Sequence, residues 1–246
     1  MDRQLEIYGI RSIIEAIESS KEISRVYLIN SSAKSTLLNS LINLLQKKNI
    51  KFSFVPKEKF RKISEKNHQG AYAILSPISF ISIEELIKST YIKEITQTYL
   101  LLDGITDTRN FGSIIRTSVA SDISGIIISQ NNSAPVNSEV VKASSGGVFK
   151  IPIARVNNLK DAIIHLSSLD IEIISMSEKA NKTIYEYSFP KKTGIILGSE
   201  EKGISKGIIN MSSEILKIPI NNKIGSLNVS VAFSIVNYEI IRQRNY

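Results

Sequence analysis

Apolar positions along the chain change their period several times, and each change marks an element. From residue 10, Ile10, Ile13, Ile14 and Ile17 fall at i, i+3, i+4 and i+7, which predicts a helix with one buried face. The β-rich run Val26–Ile29 follows. Leu37, Leu38, Leu41, Leu44 and Leu45 then make a second amphipathic helix, closed by Lys47 and Lys48 as its dipole favours. Phe52–Val55 reads as a strand, and Pro56 suits the first turn of a short, very basic helix carrying Lys57, Lys59, Arg61 and Lys62. His68-Gln69-Gly70 turns the chain into another strand, Ala71–Leu75. Strand alternating with helix over residues 1–76 predicts a small α/β domain. Ser76-Pro77 breaks the pattern, and Ser82-Ile83-Glu84-Glu85 is a capping box, so residues 77–96 are expected to form a linker containing a short bridging helix.

Residues 97–246 open with Tyr99–Leu102, a continuous apolar run of the kind buried on both faces of a parallel sheet. A polar turn follows, then a helix over roughly 112–121. Further strands are expected at 125–129, 171–176 and 194–198, with helices between them. A last helix runs from about 227, with Val229, Ala232, Phe233, Val236 and Ile240 on one stripe. The fold class is α/β, a small N-terminal domain followed by a doubly wound, mostly parallel sheet, where ligands sit beyond the carboxyl ends of the strands.

Composition narrows the chemistry. The chain has no cysteine, which excludes a disulfide framework, a thiolate metal site and a cysteine nucleophile; with two histidines, His68 and His165, a multi-histidine cage is also out. His165 has no partner in view and reads as structural. The net charge of +8 is uneven: residues 1–75 hold 13 Lys/Arg against 7 Asp/Glu, a net of +6, and the remaining 171 hold 18 against 16. A polyanionic partner is favoured, and the N-terminal third is where it would be held. The N-terminus lacks the basic-then-apolar order of a signal peptide, and no apolar run approaches the ~18 residues of a membrane span, so a cytoplasmic protein is expected.

Three polar turns follow apolar strands. In Asp103–Arg116, Asn110 could cap the helix, Gly112 would let another chain approach closely, and Arg116 sits about one turn inside, its planar fork suited to phosphate or simply to a surface salt bridge. In Leu197–Ser205, Gly198 and Gly203 have the spacing of a phosphate-binding loop, but Ile204-Ser205 stands where that motif needs Lys followed by Ser or Thr, which argues against a nucleotide triphosphatase. The alternative is a glycine-rich connection with Glu200 and Glu201 at a helix N-terminus. In Ile218–Val229, Ser226 is expected to cap the final helix, and Asn228 at the head of an apolar stripe needs a partner if buried, either backbone or ligand.

Asn110-x-Gly112-x-x-x-Arg116, Gly198-x-Glu200-x-x-Gly203 and Ile218-Pro219…Ser226-Leu227-Asn228-Val229-Ser230-Val231-Ala232 resemble, in order, the three signature motifs of the SpoU/TrmH branch of the SPOUT superfamily, RNA ribose 2′-O-methyltransferases that use S-adenosylmethionine. Tyr8-Gly9 and His68-Gln69-Gly70 resemble the N-terminal RNA-binding domain of the bacterial 23S rRNA guanosine 2′-O-methyltransferase subgroup. Val141–Gly147 is similar to a further block these enzymes share. The chain departs from the pattern at Thr108, where many members have Pro, at Ile220, where many have Met, and at Asn222, where Gly is frequent.

The resemblance implies a C-terminal domain tied in a trefoil knot, which no pattern argument would predict. It implies S-adenosylmethionine as cofactor, held by Gly198, Ile218 and Leu227, and a catalytic set of Arg116, Asn110, Glu200, Ser226 and Asn228. RNA contact is expected from Lys57, Lys59, Arg61, Lys62, His68 and Gln69, with no metal, and a homodimer is expected. The expected substrate is a guanosine of 23S rRNA; a tRNA ribose methyltransferase and a non-catalytic RNA-binding protein of the same fold are the alternatives.

Overall fold

The computed structural model of the chain describes residues 6–19, 21–30, 36–63, 65, 67–91, 95–221 and 225–245, with Lys62 and Ile63 described by their backbone alone. It divides into two compact units, Met1–Ser79 with Pro135–Ser138, and Phe80–Ala134 with Glu139–Tyr246.

In the first unit, β1 (Glu6–Tyr8), β2 (Ile23–Ile29), β3 (Phe52–Val55) and β4 (Ala71–Leu75) form a sheet of order β1-β4-β2-β3, in which β4 runs antiparallel to both neighbours and β2 pairs β3 in parallel. Helices α1 (Ile10–Glu18) and α2 (Thr36–Lys47) bury the residues whose spacing marked them, Ile10, Ile13, Ile17, Leu41 and Leu45, against Val26, Leu28, Ala71 and Ala73. The basic run is a 3-10 helix, Lys57–Ile63, anchored by Phe60, whose ring meets Tyr72 edge-on at 5.1 Å and His68 at 4.9 Å.

The second unit begins with α3 (Ile83–Thr90). It continues through β5 (Gln97–Asp103), α4 (Thr108–Ala120), β6 (Gly125–Ser129), α5 (Ser138–Ala143), β7 (Ile153–Val156), α6 (Leu159–Ser167) and β8 (Glu172–Met176). The last elements are β9 (Lys182–Thr183), β10 (Lys192–Gly198), α7 (Lys206–Ile209), β11 (Glu214–Lys217) and α8 (Val229–Asn245). The sheet order is β7-β6-β5-β10-β8-β11-β9 and every neighbouring pair is parallel. The apolar runs of β5, β6 and β10 are buried because helices cover the sheet. Strands β7, β9 and β11 escape the sequence pattern because they have only two to four residues.

From Phe80 onward, the segment expected to link the domains is built into the second unit. Its capping box is present, with Ser82 Oγ accepting from the Glu85 N–H and Glu85 returning the bond, but Ile83 and Leu86 are buried among Tyr99, Leu101 and Ile127, and Ile81 bridges to Ala154 at the β7 edge. Helix α4 starts at Thr108, four residues earlier than the apolar pattern indicates, because Asp107 caps it. At the far end of α8, Arg244 reaches the starts of β5 and β10, donating to Thr98 Oγ1 at 2.7 Å, to the Pro190 carbonyl at 2.7 Å and to Thr193 Oγ1 at 3.2 Å. Burial pulls its guanidinium pKa down to about 10. Among the described residues no helix is long and apolar enough to cross a membrane.

A protein starting at Phe80 is expected to unfold cooperatively with a melting temperature above that of one starting at Ile95, which lacks α3. In the full chain, Leu86→Ala should remove about 2–5 kcal/mol of stability. Equal melting temperatures for the two truncated proteins would contradict the packing of α3.

Candidate active site

Parallel neighbours end on the same side of a sheet, so adjacency of β5, β10, β8 and β11 brings the turns after them together. The turn after β10 folds back on itself: the Gly203 N–H donates to the Ser199 carbonyl at 2.8 Å, and Gly203 has φ 65. It passes so close over Gly198 that a Cβ there would lie 2.1 Å from the Gly203 carbonyl carbon and 2.2 Å from the Ile204 nitrogen, so only glycine fits. The turn after β5 holds it in place, since Asp103 Oδ2 accepts from the Ser205 N–H at 2.8 Å. Gly112 lets α5 approach α4, where a Cβ would meet Ala143 Cβ at 2.4 Å.

Two caps differ from expectation. Asp107, not Asn110, caps α4, accepting from the Asn110 N–H at 2.8 Å. Asn228, not Ser226, caps α8, accepting from the Ser230 N–H at 3.0 Å and from its hydroxyl at 2.6 Å. The first correction frees the Asn110 side chain, whose Nδ2 donates to Glu200 Oε1 at 3.0 Å. Asn228 Nδ2 donates to Asn110 Oδ1 and to Glu200 Oε1, both at 2.9 Å, and the Val229 N–H reaches the same Glu200 oxygen at 3.4 Å. One carboxylate oxygen of the second turn thus gathers donors from the first and the third and sits at the N-terminus of α8, where negative charge is favoured. Asn228 is exposed and partnered, so it carries no buried penalty.

Two cavities open beside this junction. One, of about 290 Å³, is lined by Leu197, Gly198, Glu200, Ile218, Ile220, Ser226 and Leu227, with Met176–Lys179 and Lys217 opposite. The structure therefore brings Gly198, Ile218, Leu227, Glu200 and Ser226 to one cavity. The other, of about 580 Å³, is lined by Asp103–Asp107, Asn110 and Asn132. Ser199–Gly203 and Val229 belong to the walls of both.

Arg116 is not part of this group. It sits more than two turns beyond the cap, about 240° around α4 from Asn110, is exposed, lines neither cavity and makes no salt bridge with the described residues. Thr108 is the first residue of α4, a position that also suits proline; its hydroxyl donates to Glu139, which Arg109 Nε meets at 3.0 Å, and these bonds hold the Glu139 carboxyl below its usual range. Asn222 lies outside the described residues. His165, read from the sequence as unpartnered, has Nε2 3.4 Å from Glu84. The sequence reading passed over Asp103 and Asp107; an Asp directly before a helical segment is the signal that marks the second.

In the first unit, Lys57, Lys59 and Arg61 are exposed on the 3-10 helix; for Lys62 the side chain lies outside the described residues. His68 Nδ1 accepts from the Gly70 N–H at 2.9 Å and its ring rests on Phe60, which places the His68-Gln69 turn beside the basic helix. Gln69 is exposed, at φ 48.

Two family models match the chain: the SpoU rRNA Methylase family over residues 97–238, and RNA 2′-O ribose methyltransferase substrate binding over residues 7–81. A Staphylococcus saprophyticus protein named a TrmH family tRNA/rRNA methyltransferase is 34% identical over 244 residues, covering 99% of this chain and 97% of that protein. A Staphylococcus aureus protein of the same name is 32% identical over 240 residues, covering 97% and 96%. The fold is that of the SpoU methyltransferase AviRb from Streptomyces viridochromogenes, solved with its cofactor AdoMet (TM-score 0.62, 20% identity, 97% of this chain and 90% of that one). An AdoMet-bound rRNA methyltransferase from Sinorhizobium meliloti is similar (TM-score 0.61, 22% identity, 96% and 86%).

Gly198→Ala is expected to force the Ser199–Gly203 turn off β10, a loss of about 1–3 kcal/mol, seen as a fall in melting temperature of about 2–4 °C per kcal/mol. An unchanged melting temperature would mean that the turn does not cross Gly198 as described.

Proposed function

The chain belongs to the SpoU rRNA methylase family, and on that premise we propose that it methylates the ribose 2′-hydroxyl of a guanosine in 23S rRNA. It is an RNA 2′-O-ribose methyltransferase, with S-adenosylmethionine as cofactor. The observation that carries the reading is the junction of Asn110, Glu200 and Asn228 beside the cavity that holds Gly198, Ile218 and Leu227.

The residues of that cavity fit the cofactor. Ile218, Ile220 and Leu227 supply apolar cover for an adenine face, and the Gly198 crossing leaves backbone groups free of side chains for its edge. When bound, the cofactor supplies an electrophilic methyl group on sulfur. The neighbouring cavity, which shares the Glu200 turn, takes the target nucleotide. Glu200 Oε1 is occupied by its three donors, while Oε2 makes no hydrogen bond with the described residues and is open to a ribose hydroxyl. Asn110 and Asn228 fix that carboxylate, and Ser226 lies on the cofactor side. Holding the two reactants in line accounts for a large share of the rate, roughly 7–11 kcal/mol in well-oriented systems.

A guanidinium is a poor base, so Arg116 is assigned to the ribose phosphate and to the alkoxide that develops as the hydroxyl gives its proton to the open Oε2 of Glu200. Its distance from the junction within one chain is the argument for a homodimer in which the partner supplies it. Helix α8 offers a face for pairing, with Val231 48% and Tyr238 53% exposed, and Thr117, next to Arg116, lies against α8 through Ser234 at 3.3 Å. Lys57, Lys59, Arg61, Lys62 and Gln69 grip the rRNA backbone through the +6 domain. His68, with Nδ1 and one ring face engaged, contributes through Nε2.

Deleting the gene should remove a 2′-O-methylguanosine from 23S rRNA when ribose methylation is mapped across rRNA and tRNA; a loss confined to tRNA would move the substrate there. Arg116→Ala should lower the single-turnover rate about 10²–10³-fold with cofactor affinity and melting temperature unchanged, and Arg116→Lys should recover little. Co-expressing Arg116→Ala with Glu200→Ala should restore activity that neither has alone, because one mixed site is intact; no restoration would place Arg116 in its own subunit's site.

A further inference from the structure

On the element that packs against α4 the chain holds up a largely exposed phenyl ring. Phe149 is 60% exposed at the end of a 3-10 helix, Gly147–Phe149. The backbone beneath it is fixed. Val148 is buried and its N–H reaches Ser144 Oγ at 3.3 Å; the Phe149 N–H donates to the Gly146 carbonyl at 3.2 Å and the Lys150 N–H to the Gly147 carbonyl at 2.8 Å. Gly147 lies flat on α4, where a Cβ would stand 3.4 Å from Val119 Cγ2 and 3.8 Å from the Cα of Arg116. The 3-10 helix that ends in Phe149 therefore packs on α4 at the turn that carries Arg116.

The surroundings are cationic. Arg116, Lys142 and Lys150 are exposed and form no ion pair with the described residues, and the carboxylate on the same helix as Lys142, Glu139, is engaged by Arg109 and Thr108. An exposed ring on fixed backbone, with unneutralised cations on its own and the adjoining elements, has the chemistry that meets unpaired RNA, with a base on the ring face and phosphates on the flanking charges. It suits a second copy of the chain poorly, since a two-fold contact centred on Phe149 would set like charges against one another.

We propose that Phe149 is a stacking residue for the RNA substrate: a base flanking the target nucleotide leaves its helical stack and lies on the phenyl ring, while Lys142 and Lys150 meet the adjoining phosphates. The inference rests on the assignment of Arg116 to the target's ribose phosphate, because the two residues stand on elements packed against each other. It adds a substrate requirement, an unpaired stretch around the methylated ribose.

Full-length wild type, Phe149→Ala and Phe149→Trp are titrated with a labelled single-stranded oligoadenylate carrying one 2-aminopurine, and with the corresponding duplex. Phe149→Ala should weaken the single strand about tenfold and abolish the 2-aminopurine quenching, with duplex and S-adenosylmethionine affinities unchanged; Phe149→Trp should keep both signals. Lys150→Ala should weaken binding and reduce the salt slope by about 1. Equal single-strand affinity for wild type and Phe149→Ala overturns the proposal, as does a change in the mass of Phe149→Ala by light scattering, which would make the ring a subunit contact. Arg116→Ala is measured alongside: if its turnover stays near wild type, the Arg116 assignment has failed, whereas loss of quenching in Phe149→Ala still reports stacking.

Discussion

One carboxylate oxygen organises the functional end of this protein. Glu200 Oε1 takes hydrogen bonds from Asn110, Asn228 and the Val229 N–H, groups that lie 90, 28 and 29 residues away in the chain. Each bond is an ordinary charge-assisted contact, and together they hold three turns that have no other reason to keep a common geometry. The helix α8 N-terminus adds its dipole to the same point. Both cavities take part of their wall from the Glu200 turn, so its position fixes their separation.

That turn depends in its own way on the backbone. Crossing over Gly198 at a distance that excludes a single methyl group, and closing at Gly203 with a positive φ, it can occupy its place only with glycine at the crossing. Asp103 then latches its far side from the end of β5. The charged residues here are exposed, and the stiffness of the arrangement comes from the parallel strands beneath, whose apolar runs are buried on both faces. Soft polar chemistry is mounted on a rigid base.

The two units divide labour by charge. The N-terminal unit carries most of the positive excess, with Lys57, Lys59 and Arg61 exposed, while the junction of the three turns is built from an acid and two amides. A site of that kind does not attract a polyanion by itself. Lys179, Lys202 and Lys217 stand in the cavity walls beside it, and Arg116, Lys142 and Lys150 lie outside both cavities.

Much of this was legible in the sequence. The apolar periods gave α1, α2, β5 and α8 within a few residues, and the three glycine- and asparagine-bearing turns stood out because each follows an apolar strand. Periodicity is a local property, and so is the residue chemistry of a turn. Which oxygen caps a helix was less accessible: Asn110 and Asp107 both qualify by type, as do Ser226 and Asn228, and the choice falls to the one whose backbone lies just outside the first turn. In the first pair the residue left over bonds Glu200, and in the second the cap itself does. Tertiary structure alone decided that α3 packs on the second sheet and that short strands such as β11 complete it. Each of these depends on what a side chain meets across the fold, and sequence spacing measures only what it meets along the chain.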